Sequence, residues 1–203
     1  MHWTEVLDRA FLTCVESTPR TRSMPALFAK SDSQMTDIVH HVRSHLPRCL
    51  ASVVASPIDA MLDDRGPAAV TFRISRDAQE SCIVLGFDLS DYNADYDGPI
   101  EFISPLNLRW PDGQLTCIFD SDVHGYHGEM DSSAKLRGSG DPATFNCAEC
   151  GEASMIVDVQ LNYYDDLFDE FDPSEVSDYF HNIIIYGTCT TCAHRNPILD
   201  MDL

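Results

Sequence analysis

Met155-Ile156-Val157-Asp158-Val159-Gln160-Leu161-Asn162-Tyr163 is the stretch on which the fold turns. Met155, Val157, Val159, Leu161 and Tyr163 alternate with Ile156, Asp158, Gln160 and Asn162. Successive side chains of an extended chain point to opposite sides, so this period of two predicts a strand with one buried face. His181 to Thr188, carrying Ile183-Ile184-Ile185-Tyr186, is the return strand expected to pair with it antiparallel.

At the far ends of these two strands lie Cys147-Ala148-Glu149-Cys150-Gly151 and Cys189-Thr190-Thr191-Cys192-Ala193. Two thiolates two residues apart can hold one ion if the chain turns between them, and Gly151 permits the tight return. Pairing the strands brings the second cysteine pair beside the first. Four sulfurs in a closed tetrahedron are the preferred set for structural zinc, and a second pair makes a redox motif the poorer interpretation. The expected ligands of a structural Zn2+ are therefore Cys147, Cys150, Cys189 and Cys192. The paired knuckles and the hairpin joining them resemble the zinc-ribbon family over about Phe145–Ile198. That resemblance implies a fold only, because ribbons serve many functions. The hairpin is longer than in the shortest ribbons.

Upstream of this module (145–203) the texture changes twice. Trp3, Val6, Leu7, Ala10 and Phe11 share one helical face within Trp3–Leu12. A second helix is expected over Ser33–Leu46, with Met35, Ile38, Val39, Val42 and Leu46 as its apolar stripe and Pro47 at its end. Cys49–Leu62 is read as a helix broken at Pro57. After the Gly66-Pro67 turn, alternation predicts strands at Ala69–Ile74 and Ser81–Phe87 joined as a hairpin through Ser75–Glu80. Further strands are expected at Ile100–Ile103 and Gln114–Phe119, the latter after the turn Pro111-Asp112-Gly113. Gly125–Pro142, rich in Gly and Ser, reads as a linker. The expected organisation is a helical part over 1–66, a central antiparallel sheet over 67–124, a linker over 125–144 and the zinc-ribbon-like module. Helices and strands segregated in this way define an α+β fold.

Charge narrows the function. The 203 residues carry a formal net charge of −20. Residues 1–80 hold 10 acidic and 9 basic side chains, leaving 23 acidic and 4 basic for 81–203. An acidic surface opposes binding to nucleic acid or an anionic membrane and favours a basic protein partner. The longest apolar runs are far shorter than the roughly 18 residues of a spanning helix. Met1-His2-Trp3-Thr4-Glu5 does not read as a signal peptide. A cytoplasmic location is expected, where thiols stay reduced. Cys14, Cys49, Cys82 and Cys117, each alone among apolar neighbours, read as small core residues.

Two acidic segments interleave aromatics with carboxylates: Tyr163 to Asp172, and Asp88 to Asp97. Aromatics anchor interfaces while charge steers the encounter. The expected contact residues are Tyr163, Tyr164, Asp165, Asp166, Phe168, Asp169, Glu170 and Asp172, with Asp91, Asp95 and Asp97. In being small and acidic with no catalytic motif, the chain is similar to bacterial immunity proteins that neutralise toxins, which implies an inhibitor of a basic toxin or enzyme. An adaptor in a larger assembly would share the acidic surface without inhibiting anything. An enzymatic alternative rests on Asp120-Ser121-Asp122-Val123-His124. If the preceding strand continued, Asp120, Asp122 and His124 would share a face and could hold a divalent ion for hydrolysis, with His127 and Glu129 nearby. His41 and His45, one helical turn apart, lack a third ligand and read as a surface pair.

Overall fold

A computed structural model describes residues 31–61, 68–95, 98, 101–126, 135–164, 167, 172 and 174–203. The amphipathic stretch Trp3–Leu12, Cys14, His127 and Glu129 lie outside the described residues. The described chain is mainly antiparallel β-sheet with a few helical elements. Helix α1 spans Ser31–Ser44 and buries Ile38, Val39 and Val42, three of the five expected apolar positions. It ends before Pro47, whose missing N–H and preceding-residue restriction forbid continuation. Leu46 falls past the last turn and stays exposed.

The segment read as a broken helix is instead a short 3-10 turn, Arg48–Leu50, followed by strand β1, Val54–Met61. Pro57 explains the difference. It cannot sit inside a helix, but at the edge of a sheet its absent donor faces no partner strand. Among the described residues β1 pairs only with β2 (Ala68–Ser75), and the register shifts between Pro57 and Asp59.

Strand β7 (Ser154–Tyr163) is the spine. Met155, Val157, Val159, Leu161 and Tyr163 are all fully buried, as the alternation predicts. Along one edge β7 pairs with β8 (Asn182–Cys189), from Met155↔Cys189 to Asn162↔Asn182. Its other edge is shared. β2 takes the half from Asp158 to Tyr163, and β3 (Ser81–Asp88) takes Ser154 to Ile156. β2 and β3 therefore run in the same direction along β7 rather than pairing with each other as a hairpin. Between them the chain makes a tight turn, with Arg76 and Gln79 exchanging backbone hydrogen bonds of 2.9 and 2.8 Å and Asp77 and Ala78 at positive φ. The sheet forks at this turn. One branch is β1–β2, and the other continues from β3 to β4 (Phe102–Arg109) and β5 (Leu115–Phe119). Gly86 leaves room for the β4 side chains that cross β3, because a Cβ there would stand 2.4 Å from Phe102 and 2.8 Å from Leu106.

Beyond β8 the chain returns as β9 (Arg195–Asp202). The strands that the sequence divides between a central sheet and a C-terminal module are thus hydrogen-bonded into one nine-stranded sheet. The described parts of the expected linker pack onto that sheet. Tyr126 stacks on Phe119, Gly138 N–H donates to Ser104 O, and Ser139 and Tyr92 exchange hydrogen bonds. Ala143–Thr144 forms β6 and pairs with β3. Among the described residues no helix is long and apolar enough to cross a membrane.

Candidate metal centre

The register of β7 with β8 positions the cysteines. Cys189 is the last residue of β8, opposite Met155, and Cys147 and Cys150 sit in the turn that leads into β7. Both knuckles close in the same way. Gly151 N–H donates to Cys147 O at 2.8 Å and Cys147 N–H to Glu152 O at 2.8 Å. In the second knuckle Ala193 N–H donates to Cys189 O at 3.0 Å and Cys189 N–H to His194 O at 2.9 Å. The residue after each second cysteine is left-handed, Gly151 at φ 76° and Ala193 at φ 60°.

The four sulfurs lie within 4.8 Å of one another. Cys147 Sγ is 3.6 Å from Cys192 Sγ, and Cys150 Sγ is 3.5 Å from Cys189 Sγ. Metal–sulfur bonds of about 2.3 Å in a regular tetrahedron separate sulfurs by about 3.8 Å. The cluster thus has nearly the dimensions of a four-thiolate site and could hold one metal ion. Cys147 and Cys189 are buried, whereas Cys150 and Cys192 face solvent.

Deprotonation is already favoured on the inner side. Burial pushes the Cys147 thiol up, but the N–H groups of Cys150 and Glu149 and the Asn196 side chain outweigh it and bring it down to about 6. The N–H groups of Cys192 and Thr191 lower Cys189. The Glu152 N–H favours the Cys150 thiolate, yet the nearby sulfurs, Cys192 foremost, push that thiol up to about 12. Negative charge crowded onto four sulfurs is the condition that a bound cation relieves.

Asn196, which nothing in the sequence singled out, ties the knuckles together. It is 2% exposed. Its Oδ1 accepts from Ala148 N–H at 3.0 Å, and its Nδ2 donates to Gly187 O at 3.2 Å, to His194 O at 3.1 Å and toward Cys147 Sγ at 3.7 Å. Groups behind the ligands orient them and tune the metal, and this asparagine is such a group. The second unforeseen pair is Arg73 and Asp158, opposite each other on β2 and β7 and bonded at 2.9 and 3.2 Å.

The expected contact residues separate. Tyr163 is not a surface residue. It is fully buried, and its hydroxyl donates to Ser177 O at 2.9 Å, because it is the last inward member of the β7 alternation. Tyr164 is 56% exposed and stacks on His181. Asp172, Asp91 and Asp95 are exposed, and the Ser174 hydroxyl and N–H hold the Asp172 carboxyl below its usual range. Asp165, Asp166, Phe168, Asp169, Glu170 and Asp97 lie outside the described residues.

Asp120, Asp122 and His124 come close together, but not on a strand. They belong to the short helix α2 (Ser121–His124), which Asp120 caps by accepting from the Asp122 and Val123 N–H groups. Asp120 also accepts from Arg137 at 2.8 Å, and Asp122 pairs with the same guanidinium. His124 Nδ1 accepts from Asp120 N–H at 3.0 Å. No protein-family model, curated protein or solved structure matches this chain, so its functional assignment rests on the geometry of its own residues.

Proposed function

We propose that this chain is a non-enzymatic, acidic binding protein that covers a basic protein partner, built on a scaffold clamped by one structural zinc in a ribbon-like module. Zinc suits the four sulfurs because it takes a closed tetrahedral thiolate set without electronic preference for another geometry. With all four positions filled by protein, such an ion orders the chain and leaves no open position for substrate.

The observation that carries the binding function is the placement of charge. Only two described carboxylates are buried, Asp120 and Asp158, and each is paired with an arginine. The other described carboxylates are at least partly exposed, where charge steers association. In the cytoplasm such a surface suits an inhibitor of a basic toxin or enzyme. The hydrolase alternative asks Arg137 to surrender both Asp120 and Asp122 before either could bind a cation.

Chromatography of a cell extract on the immobilised protein, followed by assay of what salt elutes, tests the proposal. A basic protein whose own activity falls on adding this chain is the expected result. A partner bound without loss of activity would support an adaptor instead. Capture of no basic protein at low salt would contradict both.

A further inference from the structure

The core covers one side of β7, and the other side carries a row of carboxamides. Gln160 Nε2 donates to Asn162 Oδ1 at 3.1 Å, and Asn162 Nδ2 to Asn182 Oδ1 at 2.6 Å. The Asn182 amide then donates to Asp200 at 2.9 Å and to Asp202 at 3.0 Å. One amide group thus fixes two exposed carboxylates on the same side of β9. At the end of this row is a cavity of about 500 Å³ lined, among the described residues, by Tyr164, His181, Asp202 and Leu203.

The walls have a definite chemistry. The Tyr164 ring lies 4.1 Å from the His181 imidazole with 25° between the planes, so one face of the ring is supported and the residue remains 56% exposed. His181 Nε2 is buried and has no hydrogen-bond partner among the described residues. Burial lowers the His181 pKa against the opposing pull of Asp202, which favours the neutral imidazole. A supported aromatic face beside a carboxylate is the setting for a guanidinium, which stacks on the ring and donates to the oxygens.

The same sheet already shows the stacking part of that arrangement between its own residues. The Arg195 guanidinium sits 3.7 Å from the centre of the Tyr186 ring. Arg195 is the only arginine or lysine from Gly138 to Leu203, and it is engaged at Tyr186.

We infer that the cavity receives an arginine side chain of the basic partner, with its guanidinium on the Tyr164 ring and against the Asp202 carboxylate. This site rests on the reading of the chain as a binder of basic proteins and names where one of the partner's side chains enters. Arginine is preferred over lysine because a compact ammonium cannot stack across the ring or donate in a fork.

Titration of the full chain with a hexa-arginine peptide at low salt, followed calorimetrically and by the His181 ring resonances, tests the inference. Tyr164→Ala and Asp202→Asn should each weaken binding about fivefold to tenfold, the scale of a cation–ring or charge-assisted contact. Tyr164→Phe should retain affinity, the control variant Asp37→Asn, at an exposed position on α1, should bind as wild type, and hexalysine should bind more weakly. The His181 resonances should move on peptide addition. Equal affinity across all variants, or equal small losses at every aspartate, would overturn the cavity while leaving a basic partner in place. Hexalysine binding as tightly as hexa-arginine would likewise overturn it. No binding of hexa-arginine to the wild-type chain would overturn the cavity and the basic-partner reading together.

Discussion

Asn196 shows what a single side chain contributes to the metal centre and why sequence did not show it. It stands four residues past Cys192, outside any metal-binding spacing, and acquires its role only when β9 folds back on β8. Asn196→Ala should weaken metal binding by about tenfold, the usual scale for a group behind the ligands. Competition against a chelator measures this, and an unchanged affinity would make Asn196 a packing residue only. Ala193 is a smaller case of the same kind. At φ 60° it holds a conformation that disfavours a Cβ, whereas Gly151 fills the equivalent place in the first knuckle. Ala193→Gly should stabilise the fold by about 0.5 kcal/mol, the left-handed strain relieved less the added freedom of the unfolded chain. Denaturant midpoints decide the sign. At Tyr163 two signals compete: the β7 alternation places it inward, the aromatic and acidic texture that follows points outward, and the alternation prevails. Tyr163→Phe should cost about 1–2 kcal/mol, because Ser177 O loses its donor in a buried setting.

At the scale of elements, alternation predicts β2, β3 and β7, the turn Pro111-Asp112-Gly113 points to β5, and the apolar run Ile183-Ile184-Ile185 points to β8. Partners were less legible than strands. The segment Ser75–Glu80 has the polar composition of a hairpin loop, yet the strands on either side both add to β7. A turn fixes the local reversal, whereas long-range pairing is decided by which edge buries the flanking side chains. β1 was hidden because Pro57 punctuates it and because an edge strand carries no clean alternation. The cross-strand pair Arg73–Asp158 marks the junction of the two branches. Asp158 is buried while the Arg73 side chain is 35% exposed, so water screens part of the interaction. Arg73→Met should nonetheless cost about 2 kcal/mol by leaving a buried carboxylate without its partner. Restoring the loss with the double variant Arg73→Met, Asp158→Leu would show that the unpaired charge, rather than lost packing, was responsible.

For the whole molecule, charge and histidine burial set the response to solution conditions. Burial is the leading cause of lowered pKa values at His41, His124 and His181, each below the ordinary 6.5. The unfolded chain therefore binds more protons than the folded one as pH falls below about 6.5, and stability falls with it. Protonation of the thiolates acts in the same direction once metal is involved. Urea midpoints should be lower at about pH 5.5 than at about pH 7.5, and a flat profile would remove the histidine contribution. The cysteine spacing conveyed the candidate site nearly whole, because metal chelation imposes its own local geometry. The forked sheet was not conveyed, because it depends on pairings more than 60 residues apart, such as Arg73↔Asp158; the amide row lies on the expected hairpin, but polar residues on its outer face carry no periodic signal of their own.

The central claim is that Cys147, Cys150, Cys189 and Cys192 close one structural metal site, and metal content by elemental analysis tests it most directly. Protein purified without added metal should carry one zinc per chain, and Cys189→Ser should carry none and melt at a lower temperature. A chain that holds no metal, and whose melting temperature is the same with and without a chelator, would contradict the account.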